Sequence, residues 1–375
     1  MPKPLKYDKL PLPYEAPAAW AQRVVAWQLT HGRNDLPWQS TRDPYPVWLS
    51  EIMLQQTQVV TVLDYFNRFL KRFPNVLALA QATQDEVLGL WSGLGYYSRA
   101  RNLHACAQQV VSEWSGVFPR SAAGLQTLPG IGPSTAAAIA SICYGERVAI
   151  LDGNVKRVLT RVLGFDADLS QARNERVLWA LAQNLLEPLS AADLTKAMPR
   201  YTQGVMDLGA TVCRLRKPLC LECPVADVCT ARQQGRETAY PVKTRRVKRT
   251  SQSYWCLVAT TPCGDVWLST RPTPGVWAGL YCAELFESHS ALVQALPPKI
   301  QNQVQDLPPL LHKLTHRDLH LHPVRLQVSK SYIQKALLPT PTGRWFSGKE
   351  WPELGLPAPL RVLLEQLEPQ QILSR

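Results

Sequence analysis

Apolar residues recur at three- and four-residue intervals up to about residue 230, a spacing that places them on one face of a helix. Short turns rich in proline and glycine separate these stretches, and no strands alternate with them. The first part of the chain is therefore predicted to be helical. The predicted helices cover Ala18 to Leu29, Val47 to Phe69, Gln84 to Trp91, Arg99 to Trp114, Ser134 to Cys143, Val155 to Leu163, Ala172 to Leu186 and Tyr201 to Thr211.

The pattern changes after Ala231. Between Lys243 and Arg249 five of seven residues are positively charged and none follows an apolar period, which indicates a linker. This run is either a plain solvated segment or a direct DNA contact. The last third of the chain is predicted to be a smaller α+β domain. Its predicted strands cover Tyr254 to Thr260, Val266 to Thr270 and Val324 to Ser329, before a last helix over Leu360 to Leu367.

Length and charge narrow the class of protein. The 375 residues suit two or three domains, and the net charge of +12 favours a polyanionic partner, nucleic acid before an anionic membrane. The segment from Met1 to Pro17 contains five prolines and no apolar run of the kind found in signal peptides. The uncharged run from Ala136 to Gly145 is too short to cross a bilayer. We therefore expect a cytoplasmic protein that associates with DNA.

Four of the nine cysteines, Cys213, Cys220, Cys223 and Cys229, fall within one short stretch, with gaps of six, two and five residues. Cysteines in a reducing compartment are metal ligands more often than disulfides. A structural zinc usually takes two separated Cys pairs, whereas a compact run of four thiolates suits a [4Fe–4S] cluster held by one loop. The spacing favours the cluster and leaves zinc as the alternative.

A glycine-rich turn opens the helix predicted after residue 133. In the run Leu128 to Thr135, Gly130 and Gly132 allow close backbone approach, and the helix start presents free N–H groups to an anion. This pattern is typical of a helix-hairpin-helix, predicted over residues 128–140, which binds a DNA phosphate without reading sequence.

Two acidic segments are candidates for chemistry. Glu51 is the only charged residue between Asp43 and Asp64 and lies in a strongly apolar helix, where desolvation would raise its pKa toward that of a general acid. Asp152 and Asn154 flank a glycine directly after an apolar run. Either one could simply cap the following helix, but two together favour a site wall.

Together these segments resemble the adenine DNA glycosylases of the MutY family, within the endonuclease III-like superfamily. The likeness covers nearly the whole chain. It rests on Leu36 to Trp38, the Glu51 helix, Gly93 to Leu103, the hairpin, Asp152 to Asn154 and the four cysteines.

The resemblance implies a role for each matching residue. Glu51 would protonate adenine and later assist water, Asp152 would stabilise the positive sugar, and Asn154 would hold the catalytic groups and water in place. The other implied contacts are with DNA: Trp38 and Leu54 as walls of the base pocket, Gln56 and Tyr96 as wedges in the base stack, and Thr57 and Leu94 near the oxidised guanine.

Ser134 bears on whether the enzyme also cuts the strand. Relatives with lyase activity carry a lysine at this hairpin position, which forms a Schiff base with the sugar, and a serine cannot do so. Some adenine-specific members carry tyrosine here, so this chain departs from them. The resemblance therefore implies base removal alone, with Lys156 as a minor source of adventitious cleavage.

The stretch from Trp267 to Tyr281 resembles the Nudix-like domain with which this family recognises oxidised guanine. The acidic array of Nudix hydrolases is missing after Glu284, which implies a binding module. The family's recognition loop usually reads Phe-Ser-His, and the matching residues here are Leu314, Thr315 and His316. Thr315 and His316 keep the polar groups, while Leu314 loses the ring.

The sequence thus predicts a monomeric, multidomain protein combining an all-α and an α+β domain. Residues 1–232 form the helical glycosylase domain with the iron–sulfur loop at 213–229, residues 233–250 the linker, and residues 251–375 the Nudix-like domain. The predicted activity is hydrolysis of the glycosidic bond of adenine opposite 8-oxoguanine or guanine in duplex DNA. The alternatives are an endonuclease III-type pyrimidine glycosylase and lyase, or a catalytically silent DNA-damage binder.

Overall fold

The computed structural model describes residues 14, 17, 19–245, 248–330 and 343–367. Parts of the predicted domains lie outside these residues: 1–13, 15, 16 and 18 of the helical domain, 246 and 247 of the linker, and 331–342 and 368–375 of the Nudix-like domain. The chain packs into two compact units. The first comprises Met1–Ala80 and Ala105–Arg246, and the second Gln81–His104 and Val247–Arg375. The predicted domain boundaries stay a prediction.

Helices make up the regular structure described before residue 247. Their bounds are α1 (Trp20–His31), α2 (Pro44–Met53), α3 (Val59–Arg72), α4 (Val76–Gln81), α5 (Gln84–Trp91), α6 (Ser98–Trp114), α7 (Ala122–Leu125), α8 (Pro133–Tyr144), α9 (Gly153–Leu163), α10 (Ala172–Asn184), α11 (Leu194–Asp207) and α12 (Thr230–Gln233). The prediction of an all-helical first domain is confirmed. Among the described residues no helix combines the length and apolar character needed to cross a bilayer.

The core of the first unit forms where α1 packs against α11. Gly204 lets the two helices approach closely, because a Cβ there would lie 2.9 Å from Val24 Cγ1. At the same interface Trp20 Nε1 donates to Tyr201 Oη at 3.0 Å, so both buried aromatic side chains satisfy their polar atoms. Apolar residues of α9 and α10 extend this core.

One predicted helix is in fact two. The apolar pattern from Val47 to Phe69 predicted a continuous helix, but α2 ends at Met53 and α3 begins at Val59. Between them Gln56 has a left-handed backbone with φ 58°, a conformation that ends a right-handed helix. The prediction was wrong here because polar and apolar spacing alone cannot report a reversal of one backbone angle.

The helix-hairpin-helix follows the predicted course. Gly130 takes φ 74° in the turn, Gly132 is the residue before α8, and Pro133 occupies the first helical position. Because proline has no N–H, it suits a helix start whose first N–H groups have no helical partner. The first N–H groups of α8 therefore lie beside the turn, without partners inside the helix.

The second unit contains an eight-stranded sheet within the described residues. The strands are β1 (Thr250–Thr260), β2 (Val266–Thr270), β3 (Tyr281–Cys282), β4 (Glu284–Phe286), β5 (Gln305–Asp306), β6 (Leu310–Lys313), β7 (Arg317–Gln327) and β8 (Arg344–Phe346). The main order is β3-β2-β1-β7-β5, and β1 pairs with β7 in parallel along the full length of both. Within the described part of this unit, α13 (His289–Ala295) and α14 (Ala358–Leu367) complete the α+β arrangement.

The second unit also includes α5 and the loop after it. Tyr97 Oη donates to Leu356 O at 2.9 Å, and Arg101 Nη1 donates to Ala278 O at 2.6 Å. Gly89 in α5 lies so close to the backbone at Glu353 that an added Cβ would be 2.2 Å from its carbonyl oxygen. This part of the chain therefore packs on backbone carbonyl groups of residues 278, 353 and 356.

We expect Gly89→Ala to destabilise the second unit, since the methyl group collides with backbone atoms that cannot rotate away. Overpacking of this kind costs about 1–3 kcal/mol and outweighs the gain of about 0.5–1 kcal/mol from replacing a helical glycine. Denaturant unfolding measures the loss. Gly153→Ala is the control, because nothing lies within 4 Å of a Cβ at that position. Equal stability of the two variants would contradict the close contact.

Candidate active site and cysteine loop

A cleft of about 1060 Å³ opens in the first unit and collects several of the predicted site residues. It is bounded by the end of α2, the loop to α3, and the starts of α8 and α9. The predicted residues that line it are Glu51, Leu54, Gln56, Thr57, Ser134, Asp152 and Asn154. Three separate helix ends thus bring distant parts of the sequence to one wall.

Glu51 projects from the last turns of α2 into this cleft. Burial, and after it the negative charge of Asp152, raise the pKa of Glu51 to about 7. A carboxyl group with such a pKa is substantially protonated near neutral pH and can act as an acid. The apolar surroundings seen in the sequence therefore have the predicted effect on the carboxyl group.

Asp152 caps α9, as the capping interpretation predicted. Its Oδ1 accepts from the Val155 N–H at 2.7 Å. Burial raises the pKa of Asp152, while the N–H groups of Val155 and Asn154 and the charges of Arg157 and Lys156 oppose that rise. The cap and the cleft use the same carboxylate, so the two interpretations do not compete.

Asn154 is held by a hydrogen-bond chain that reaches the cysteine loop. Arg157 Nη2 donates to Asn154 Oδ1 at 2.9 Å and to Gly209 O at 2.6 Å. The Nε of the same guanidinium donates to Cys213 O at 2.8 Å. Gly209 also lies against Asn154, where a Cβ would come within 2.8 Å of the asparagine Cβ. The start of α9 is therefore fixed on two sides.

Ser134 acts on the backbone in front of Asp152. Its Oγ accepts from the Leu151 N–H at 3.1 Å, so a side-chain hydrogen bond joins α8 to the segment that carries Asp152. No lysine occupies this position.

Glu51 also lines a second, smaller cavity of about 110 Å³, and the buried Trp38 forms part of its wall. Gln39, which the sequence analysis did not single out, also lines it. Both side-chain polar atoms of Gln39, Nε2 and Oε1, are buried and have no protein partner within the described part of the chain. An amide left unpaired by protein groups can hydrogen-bond to a ligand or to an ordered water in the cavity.

The four cysteines of the predicted cluster line one cavity together with Arg161, which the sequence analysis did not identify. Arg161 is 1% exposed, and its Nη1 donates to Cys213 Sγ at 3.3 Å. The same side chain binds the carbonyls of Arg214 and Leu215. A charge on the apolar face of α9 was the available signal for it. Over the described residues no three His, Cys, Asp or Glu side chains converge closely enough to hold a single ion.

The remaining predicted DNA contacts belong to the second unit. Tyr96 is 43% exposed, has φ 50°, and forms a 2.8 Å hydrogen bond between its Oη and Thr315 Oγ1. Leu94 is buried, and His316 is exposed with its carbonyl accepting from Thr250 N–H. Two residues predicted to contact DNA, Tyr96 and Thr315, therefore touch each other.

Arg99 holds the loop that carries Tyr96. Its Nη2 donates to Leu94 O at 3.3 Å and to Gly95 O at 3.1 Å, and its guanidinium lies over the rings of Trp91 and Tyr96. Burial lowers the pKa of Arg99 to about 10, which leaves it charged at neutral pH. Arg99 thus stabilises the strained backbone of Tyr96 by binding the two carbonyls that precede it.

Comparison with known proteins agrees with this architecture. Residues 49–184 match the HhH-GPD superfamily base excision DNA repair protein family, and residues 254–366 match the NUDIX domain. The helical part of the chain is thus similar to a base excision DNA repair family, and the last third to the NUDIX domain.

The chain is 35% identical to the adenine DNA glycosylase of Buchnera aphidicola subsp. Acyrthosiphon pisum (strain APS) over 351 residues, 93% of this chain and 97% of the relative. It is 42% identical over 262 residues to the adenine DNA glycosylase of Homo sapiens, covering 65% of this chain and 46% of the human protein. A solved structure of a thermostable thymine-DNA glycosylase is similar over 58% of this chain and 96% of its own, at 26% identity and a TM-score of 0.49. The chain belongs to the adenine DNA glycosylase family, as the sequence motifs predicted.

We expect Glu51→Gln to make the protein more stable than wild type above pH 7 and equally stable below pH 4.5. The folded-state pKa of Glu51 is raised, so its stabilising contribution is present below the unfolded value and is lost as pH rises through about 7. Glutamine carries no charge and avoids that loss. Thermal unfolding across this range measures the difference, at about 2–4 °C per kcal/mol.

The matched control for this comparison is Glu113→Gln, a carboxyl group exposed on α6. Its unfolding temperature should follow that of the wild type at every pH. A Glu51→Gln curve that also runs parallel to wild type would show that Glu51 ionises normally.

Proposed function

We propose that the protein hydrolyses the N-glycosidic bond of adenine mispaired with 8-oxoguanine or guanine in duplex DNA. The observation that carries this proposal is the position of Glu51, between the small cavity and the large cleft and beside Asp152. A base flipped into the small cavity would place its glycosidic bond next to both carboxyl groups.

The two carboxyl groups divide the chemistry between them. Protonated Glu51 donates its proton to the adenine, so that the base leaves as a neutral molecule. Asp152, ionised, stabilises the positive charge that develops on the sugar, as in glycoside hydrolysis. Glu51, now ionised, accepts a proton from the water that attacks the sugar, and Asn154 helps to position that water. Each group ends in the protonation state from which it began.

Recognition of adenine is assigned to the small cavity. The amide of Gln39 offers one donor and one acceptor that have no protein partner, a combination that complements an edge of adenine carrying an amino group beside a ring nitrogen. The buried ring of Trp38 supplies an apolar wall. A base lacking that edge would leave the amide unpaired.

Base removal without strand cleavage is supported by Ser134 and by the contacts of Lys156. Lys156 Nζ forms a 2.6 Å ion pair with Glu175, and an amine held in an ion pair is a poor nucleophile. This arrangement disfavours the lyase alternative.

The cysteine loop is proposed to hold a [4Fe–4S] cluster through Cys213, Cys220, Cys223 and Cys229. The donor set fits: four thiols line one cavity, and the buried Arg161 donates to one sulfur while its Nε has no protein partner in the described part of the chain. When bound, the cluster would fix the loop so that Arg214, Arg216 and Lys217 meet DNA phosphates. A structural zinc is the alternative from the sequence.

The oxidised guanine is proposed to be read by the second unit, where Tyr96 and Thr315 meet. Tyr96 would wedge into the stack while the Thr315 hydroxyl and the exposed imidazole of His316 contact the base edge. Leu314 contributes no stacking ring. We propose further that the protein acts as a monomer in the cytoplasm, where it associates with the nucleoid through DNA binding.

We expect the wild-type protein to produce an alkali-dependent cut at adenine in duplexes with adenine opposite 8-oxoguanine or guanine, and none at thymine glycol. Glu51→Gln should bind the mispaired duplex but lose excision by a factor of at least about 10², because the amide cannot donate its proton in the same way. Single-turnover cleavage and electrophoretic binding, measured on the same preparations, check both expectations.

Glu113→Gln, the exposed control carboxyl variant, should excise like wild type. Excision retained by Glu51→Gln would assign the acid wrongly, while binding without excision by the wild type would favour the silent-binder alternative. Cutting at thymine glycol would favour the pyrimidine-specific lyase.

A further inference from the structure

Arg33 lines the cleft that contains Glu51 and Asp152, yet its charge is bound to a different carboxylate. Asp207, at the end of α11, accepts from Arg33 Nε at 2.7 Å and forms an ion pair of 2.6 Å with Nη2. The backbone N–H of Arg33 donates to the other Asp207 oxygen at 3.0 Å. Three bonds therefore fix this arginine.

The burial of the two partners is unequal. The Asp207 side chain is 0% exposed, whereas the Arg33 side chain is 29% exposed. Gln203 Nε2 also donates to Asp207 at 2.9 Å, so the buried carboxylate is fully hydrogen-bonded. The buried Asp207 thus fixes an arginine side chain that lines the cleft and remains partly exposed.

The geometry of the pair leaves donors available. Asp207 engages the Nε and Nη2 edge of the guanidinium, and Nη1 has no protein partner among the residues that the structure describes. An arginine held in this way presents a planar, permanently charged donor set in one orientation. Phosphate oxygens are the acceptors that such a set binds best.

Asp207 also keeps Arg33 from a different partner. An arginine free to turn in the cleft could pair with Glu51 or Asp152, and an ion pair with Glu51 would favour the ionised form of the acid. Binding to the buried Asp207 removes this competition. The arginine can therefore add positive potential to the cleft without neutralising the catalytic carboxyl groups.

We propose that Arg33 binds one phosphodiester group of the strand that carries the flipped nucleotide, and that Asp207 is the positioning residue that orients it. This inference rests on the proposed function, because it needs a DNA strand in the cleft. The ligand is a single backbone phosphate, recognised through charge-assisted hydrogen bonds that are independent of base sequence.

The test replaces phosphates one at a time. Duplexes contain a 2′-fluoro-adenosine opposite 8-oxoguanine, which binds but resists bond cleavage, and each linkage near it is made an uncharged methylphosphonate in turn. Binding to wild type, Arg33→Gln and the control Arg23→Gln is measured for every duplex. Arg23 is a suitable control because its guanidinium pairs with the exposed Asp227 and does not line the cleft.

We expect Arg33→Gln to weaken binding to the unmodified duplex by roughly tenfold, the loss of one charge-assisted contact. At one linkage the methylphosphonate should weaken wild type by a similar factor and have no further effect on Arg33→Gln. The slope of log affinity against log salt should become shallower by about 0.9. Arg33→Lys should recover part of the affinity, since it restores charge without the planar donor set.

The proposal would be overturned if every methylphosphonate weakened binding of Arg33→Gln by the same factor as it weakens wild type and Arg23→Gln. Asp207→Asn gives a second comparison, because an unoriented Arg33 should lose the same single linkage if the variant folds. Failure of the proposed function is recognised separately, as absence of adenine excision from an unmodified mispaired duplex by the wild type.

Discussion

The carboxyl groups of Glu51 and Asp152 share one cleft, although each would have a more stable charge in water. Removing Glu51 from water beside an existing negative charge keeps its proton in place near neutral pH. Burial also raises the pKa of Asp152, but N–H groups at the start of α9 favour its ionised form. The two carboxyl groups thus differ in their hydrogen-bond partners within one cleft, and helix ends of the first unit hold both in place.

The surrounding helices supply this support through their ends. Glu51 lies near the end of α2, and α9 begins at the residue after Asp152. Ser134 of α8 fixes the backbone before Asp152 by accepting from the Leu151 N–H. The cysteine loop is tied to the same place, because Arg157 joins Asn154 to the Cys213 carbonyl. A loop that anchors itself by metal would then also stabilise the geometry of the site.

Much of this site could be predicted from the sequence because its members are unusual for their surroundings. An ordinary core or surface has little use for three features of this sequence: a lone carboxylate in an apolar helix, four clustered cysteines and a turn with two glycines. The family resemblance then assigned their roles. The fold class and the helical first domain followed from apolar spacing and are confirmed.

Other features depended on contacts that no local pattern reports. The break between α2 and α3 depends on local backbone angles, a φ of 58° at Gln56 and an extended Gln58. Gln39 and Arg33 look like ordinary surface residues until the fold leaves one amide unpaired and places the other side chain on the buried Asp207. The sequence predicted a strand only from Val324, yet β7 begins at Arg317, where it pairs with β1.

The central claim is that burial and Asp152 keep Glu51 protonated near neutral pH. Carbon-13 NMR of protein labelled at the glutamate side-chain carboxyl, titrated from about pH 4 to about pH 9, measures this directly, with Glu51→Gln identifying the signal. We expect the Glu51 signal to titrate with a midpoint near pH 7, and with a lower midpoint in Asp152→Asn, where the neighbouring charge is removed. A wild-type midpoint near the ordinary glutamate value of 4.5 would contradict it.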